Sequence, residues 1–392
     1  MWADPSLGYP GPDVGYLVRP VRPPVASILM GITADAVPGS DSGMGPSTGV
    51  VGIDHDRVTA WFVDNVADVA PPLTFTLIAG GRSNLTFRVQ DRDGRAFALR
   101  RPPVSHVLPT AHDMAREHRV MTALGPTPVP VPRTVGLCLD ESVNGRPFYV
   151  MDFVDGHVLR DAPTAEAALA PSARPAAGMA LADALAALHA VDVDAVGLGD
   201  LSRHEGYIGR QVRRWTGQFH DMGGADTEYG SLIEEVGAAL AAGVPDQVGV
   251  SVVHGDYRLD NVVVGDDGQV AAILDWEICT LGDPLADVGT MLCYWVEPGD
   301  DDRLLWTNPA TVVPGFPTRQ DVLERYAETS DRDVSDIAFY QAFANWRLAC
   351  ILQGVYVRYE AGAGAGDTNS VEDFPSVIGR LARRAAGTLD AR

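Results

Sequence analysis

Two acids and one asparagine, Asp256, Asn261 and Asp275, recur at fixed spacing in HGDYRLDN (254–261) and ILDWE (273–277). A short hairpin separates them, with apolar runs at 262–264 and 270–274 joined by the turn residues Asp266-Asp267-Gly268. A carboxylate beside a hydroxyl can orient it and take its proton, and carboxylate and amide oxygens are hard ligands of the kind Mg²⁺ prefers. Together they are what phosphoryl transfer to an alcohol requires. Taken singly, each residue reads equally well as a turn-capping side chain, because Asp and Asn hydrogen-bond their own backbone in turns. The combination is harder to read that way.

The set resembles the aminoglycoside phosphotransferase and choline kinase branch of the protein-kinase-like superfamily, from about Leu77 to at least Gly289. The resemblance implies that Asp256 is the catalytic base, that Asn261 and Asp275 are Mg²⁺ ligands, and that Arg258 is a cation beside the transferred phosphate. It implies ATP as donor, with GTP left open. His254 is expected to prop the loop. Glu277 reads equally as a further metal-side acid or a surface carboxylate, and Asp283 and Asp287 as carboxylates at a helix start that hold the catalytic loop by its backbone N–H groups.

The nucleotide side starts in AGGRSNLTF (79–87), where Gly80 and Gly81 let backbone approach phosphates and Ser83 and Asn84 add polar contacts. Next comes Ala98-Leu99-Arg100, where most relatives in the resembled family have a lysine for the α- and β-phosphates. All 30 basic side chains of this chain are arginine, so no lysine can substitute. Arg100 keeps the charge and can bind phosphate with two parallel hydrogen bonds. Glu117 falls with Met114 and Met121 on the helix face that should pack on the sheet, where an unpaired carboxylate would be costly, and Arg100 is its economical partner. A rotated helix would leave Glu117 solvated. In FYVMDFVDG, the resemblance gives the base to the carbonyl of Asp152 and the N–H of Val154; an ordinary linker would look the same.

These residues need elements to hold them. Asp54 caps a helix with Val58, Trp61 and Phe62 at helical spacing, and from Thr74 the period changes to two, giving three antiparallel strands with a turn at Asp93-Gly94. A helix from a Thr110 cap to Gly125 follows, then strands near 133–138 and 147–153. Beyond Asp155-Gly156 the chain turns helical, around 178–189, 206–219, 337–359 and 377–386. The expected fold is α+β: a bilobal protein-kinase-like fold with a small antiparallel-sheet lobe over 51–155 and a mainly helical lobe over 156–392. Residues 1–50, rich in Gly and Pro without periodicity, are expected to be a disordered tail.

With 52 acidic residues against 30 basic, the net charge of −22 argues against nucleic acid and against anionic membrane surfaces as partners. Four scattered cysteines read as reduced core thiols, and with no leader-like start the cytoplasm is the default compartment. The family resemblance implies a small hydroxylated molecule as the partner. In SRHEGYIGRQVRRWTGQF (202–219), Arg210, Arg213 and Arg214 share one helix face, either paired with acids in solvent or forming an anion-reading wall of the acceptor pocket. This segment and LRRPP (99–103) look most like the kinase-like domains associated with acyl-CoA dehydrogenases, which implies a hydroxyacyl-CoA acceptor. An antibiotic kinase acting on aminoglycosides is one alternative; a pseudokinase, favoured by Arg100, is another.

Overall fold

The computed structural model describes residues 50–79, 84–104, 113–300, 309–363 and 373–392. The expected tail lies outside them but for Val50. Helix α1 (His55–Asn65) starts where Asp54 accepts the N–H of Arg57, and it buries Val58 and Phe62. The alternating segments form one antiparallel sheet of β1 (Thr74–Ala79), β2 (Leu85–Gln90), β3 (Ala96–Arg101), β4 (Thr134–Cys138) and β5 (Phe148–Asp152), in the order β1-β2-β3-β5-β4.

Strand parity decides what each face meets. Phe97, Leu99, Phe148 and Val150 pack with Val58 and Phe62 of α1. Ala98, Tyr149 and Met151 point the other way, into a cluster with Met114, Val120 and Met121 of α2 (Met114–Leu124). Arg100 has the parity of Ala98 and stands opposite Tyr149 in the β3–β5 register, so it faces α2. The cap of α2 is Asp113, whose carboxylate accepts the N–H of Arg116; the expected cap, Thr110, lies outside the described residues.

After α3 (Glu141–Asn144) and α4 (Ala162–Ala168) comes the helical part: α5 (Arg174–His189), α6 (Tyr207–Asp221), α7 (Gly230–Ala242), α8 (Leu285–Tyr294), α9 (Arg319–Ser330), α10 (Ile337–Arg358) and α11 (Phe374–Asp390). Two small strand pairs sit among these helices. Strand β6 (Ser251–Val253) pairs antiparallel with β9 (Thr280–Gly282), and β7 (Val262–Val264) with β8 (Val270–Ile273). The loop 254–261 joins β6 to β7 and the loop 274–279 joins β8 to β9. Both are therefore pinned at each end, and the N–H of Leu274 bonds the carbonyl of Asn261 at 2.8 Å, joining one loop to the other.

Helix α8 lies so close to α10 that a Cβ on Gly289 would stand 2.4 Å from the carbonyl oxygen of Tyr340. A backbone carbonyl cannot rotate aside as a side chain can. Gly289→Val should therefore destabilise the protein by about 2 kcal/mol or more, lowering the urea midpoint. An unchanged midpoint would mean that the two helices can part at no cost.

Candidate active site

Between the sheet and the helices lies a cleft of about 1040 Å³. On its sheet side, Arg100 bridges two acids: Nε is 3.1 Å from Glu117 Oε2, and Nη2 is 2.5 Å from Asp275 Oδ1. Glu277 stands 3.8 Å off the same guanidinium. The amide of Asn84 donates to Glu117 at 3.0 Å and to Glu277 at 3.2 Å, and the Tyr149 hydroxyl donates to Glu117 at 3.0 Å. Helix α2 is tied across the cleft by Arg116, which donates to the carbonyl of Cys279.

One guanidinium among three carboxylates leaves excess negative charge. Burial pushes the Glu117 carboxyl up to about 7, Arg100 pulls it down, and Asp275 and Glu277 push it further up. Burial alone would lower Arg100, but Glu117 and Asp275 hold it well above its ordinary value. Asp275 is held at φ 62, the left-handed region an Asp tolerates at some strain. Such positions gather at functional sites.

The other wall is the loop 254–261. Asp287, at the start of α8, accepts the N–H groups of His254 (2.6 Å) and Gly255 (2.8 Å). Burial works to raise this carboxyl, yet His189 and these bonds outweigh it and hold it below its ordinary value. The Leu274 carbonyl, 2.7 Å from His254 Nε2, needs a donor, which assigns the proton to Nε2 and leaves Nδ1 to accept the N–H of Asp256 at 3.3 Å. His254 thus props the loop. Asp283 is engaged elsewhere, accepting from the Tyr340 hydroxyl and the N–H of Leu285.

Asn261 directs its amide N–H₂ at Asp256, 2.8 Å to the carbonyl and 3.0 Å to Oδ2, which turns its own Oδ1 away as a potential metal ligand. Arg258 Nε lies 3.3 Å from Asp256 and 3.0 Å from Asp260, with the guanidinium over the Tyr294 ring. Asp256, Arg258, Asn261, Asp275, Asn84 and Arg100 all line the cleft, with Glu117 buried behind Arg100. Met151 and Phe153 also line it, while the Asp152 carboxylate turns to Arg133 and, with Val154, stands outside the lining residues. Gly80, Gly81 and Ser83 lie outside the described residues.

The three arginines of α6 part company. Arg214 lines the cleft and lies 5.3 Å over Trp215, whereas Arg210 donates to the carbonyl of Arg203 and Arg213 is exposed to solvent. Two cleft residues went unread in the sequence. Arg347 of α10 donates to the Gly255 carbonyl at 2.8 Å and stands 5.7 Å from the Trp215 ring, about ninety positions from the loop it touches, so no local spacing could reveal it. Asp260 sits inside HGDYRLDN and could have been found there as the second acid flanking Arg258.

Residues 74–308 match the model of the phosphotransferase enzyme family, and the chain belongs to that family. It is 35% identical over 300 residues to mouse acyl-CoA dehydrogenase family member 10, which covers 76% of this chain but 28% of that protein. The curated relatives it matches are all more than twice as long as the matched part. A protein of Ralstonia eutropha solved as a candidate aminoglycoside phosphotransferase is 32% identical with a TM-score of 0.71, covering 86% of this chain and 98% of its own. An aminoglycoside phosphotransferase solved in ternary complex with AMP-PNP and hygromycin B shares the fold at 15% identity and a TM-score of 0.55, covering 85% and 99%. The bilobal kinase-like fold expected from the sequence is the one found. No helix among the described residues is long and apolar enough to cross a membrane.

Because Glu117 has a folded value raised from 4.5 to about 7, the unfolded chain releases this proton in that window while the folded protein keeps it. Stability contributed by the protonated form is therefore lost as pH rises from 4.5 to about 7. Glu117→Gln has no proton to lose. Urea unfolding from about pH 5 to about pH 8 should show wild type losing on the order of 2–3 kcal/mol relative to the variant. A constant difference would place Glu117 at an ordinary carboxylate value.

Proposed function

We propose that this cleft binds ATP with Mg²⁺ and moves the γ-phosphate to a hydroxyl of a small molecule. The observation that carries this reading is the pairing of two sites in one cleft: the Arg100–Glu117–Asp275 bridge, and Asp256 braced by Asn261 and Arg258. The donor set suits Mg²⁺. Asp275 and Asn261 offer hard oxygens, and the surplus of carboxylates around Arg100 favours an added cation. The metal, when bound, supplies charge neutralisation for the phosphates.

The side chains do the rest. Asp256 orients the acceptor hydroxyl and takes its proton as the new O–P bond forms and the bond from the γ-phosphorus to the β-phosphate oxygen breaks, releasing ADP. Arg258 offers donors to the oxygens of the transferred group, and Arg100 to the remaining phosphates. Glu117 holds Arg100 in place. The adenine is assigned to the end of β5, at the Asp152 carbonyl and the Val154 N–H, next to the cleft-lining Met151 and Phe153. A pseudokinase reading has less support, since Asp256, Asn261 and Asp275 all line the one cleft.

For the acceptor, Arg214 and Arg347, both near the Trp215 ring, favour an anionic molecule, and Leu348 and Ile351 add apolar surface to the same cleft. Together with the acyl-CoA dehydrogenase relatives, this supports a hydroxyacyl-CoA. The cationic aminoglycosides suit such a wall poorly.

Asp256→Asn should lower phosphoryl transfer by about 10²–10⁴-fold in a hydroxyacyl-CoA and aminoglycoside screen with labelled ATP, while calorimetry still detects nucleotide binding. Asp275→Ala should instead lose the Mg²⁺-dependent part of nucleotide binding. Wild-type turnover by the Asn variant would remove Asp256 as base, and normal Mg·ATP binding by the Ala variant would remove Asp275 as ligand. Phosphorylation of aminoglycosides alone would overturn the acceptor.

A further inference from the structure

Arg258 is shared between two carboxylates. Its Nε lies 3.3 Å from Asp256 Oδ2 and 3.0 Å from Asp260 Oδ1, yet it is aligned for a hydrogen bond with neither among the described residues. The arginine side chain is 8% exposed, and its guanidinium carbon lies 4.5 Å from the centre of the Tyr294 ring. Asp260 follows it in a 3₁₀ turn, Leu259–Asn261, entered from an extended Arg258 at φ −164 and ψ 167. The local backbone therefore brings the second acid back to the same guanidinium that the first acid touches.

With Asp256 as its sole anionic neighbour, a buried guanidinium would settle on that carboxylate. Two things would suffer. Its donors would be spent on the base in place of the phosphoryl oxygens, and the base would grip its charge and yield a weaker pull on the acceptor proton. A second carboxylate on the same nitrogen, with an aromatic face beneath, divides that attraction.

We infer that Asp260 is a positioning residue for phosphoryl transfer: with Tyr294 it shares Arg258 with Asp256 and keeps the guanidinium from closing further onto that carboxylate, so that its remaining donors face the transferred group. This rests on the proposed role of Arg258.

The test needs no acceptor. Mg·ADP binding is measured by calorimetry with and without aluminium fluoride, which imitates the phosphoryl group in flight, and the readout is the ratio of the two affinities. Wild type should gain affinity from the fluoride, and Arg258→Gln should lose that gain. Asp260→Asn should cut it about tenfold, Asp260→Glu should restore part of it, and Asp260→Asn should add nothing in the Arg258→Gln background. If wild type shows no gain, or Arg258→Gln retains it, the role of Arg258 falls and this inference with it. If Arg258→Gln loses the gain while Asp260→Asn keeps it, or the two losses add, Asp260 is no positioning residue and the proposed function stands.

Discussion

The guanidinium of Arg100 is an ion-pair partner to acids on both sides of the site. From β3 it reaches Glu117 on α2 through Nε and Asp275 in the loop after β8 through Nη2. A lysine would have to meet both partners from a single nitrogen, whereas the guanidinium gives each its own. Burying such a group is expensive, and a buried ion pair stabilises only when its geometry repays the lost hydration. Burial, with Asp275 and Glu277 close by, drives Glu117 up to about 7 against the pull of Arg100. The bridge ties α2 and the Asp275 loop to β3, and it leaves carboxylates in surplus over the cation they share.

On the opposite wall, rigidity comes from backbone bonds. Asp287 grips the N–H groups of His254 and Gly255, and Arg347 grips the Gly255 carbonyl, so the peptide groups before Asp256 are held from two helices. Gly255 itself sits at φ 88, where a side chain would be strained. Tyr257 anchors the far side, its buried hydroxyl donating to the Leu181 carbonyl. Under the proposed function, a carboxylate carried on so constrained a loop begins close to its working position, which is what preorganisation requires.

Much of this was legible in the sequence because its signals are local. Period-two alternation fixed which side chains of β3 and β5 face α2, and that parity is what brings Arg100 to Glu117. The motif 254–261 carries its own turn chemistry, and the loops it forms are bounded by short apolar runs that pair as expected. Other parts were not legible. Helix α7, with its Gly and Ala residues, and α9, with its mean hydropathy near that of a surface helix, offered no strong stripe. The three arginines of α6 share a face by spacing, but tertiary context bends Arg210 back to Arg203 and leaves Arg214 in the cleft. Helical spacing states which residues are neighbours on a cylinder; it does not state what the cylinder lies against.

The charge of the chain illustrates the same separation of scales. A net charge of −22 suggests a protein that would repel anions. Yet the cleft is lined by Arg100, Arg116, Arg160, Arg214, Arg258 and Arg347. Low-dielectric walls focus the field of nearby charges, and salt screens distant surface acids beyond about 8–10 Å. A nucleotide entering the cleft therefore responds chiefly to these arginines and to the acids of the two loops. Those acids cluster at Asp256, Asp260, Asp275 and Glu277, while Arg214 and Arg347 stand on α6 and α10 beside Trp215. Arg258 and Arg100 are thus interleaved with those acids, while Arg214 and Arg347 stand with Trp215, where under the proposed function the remainder of an acceptor would lie.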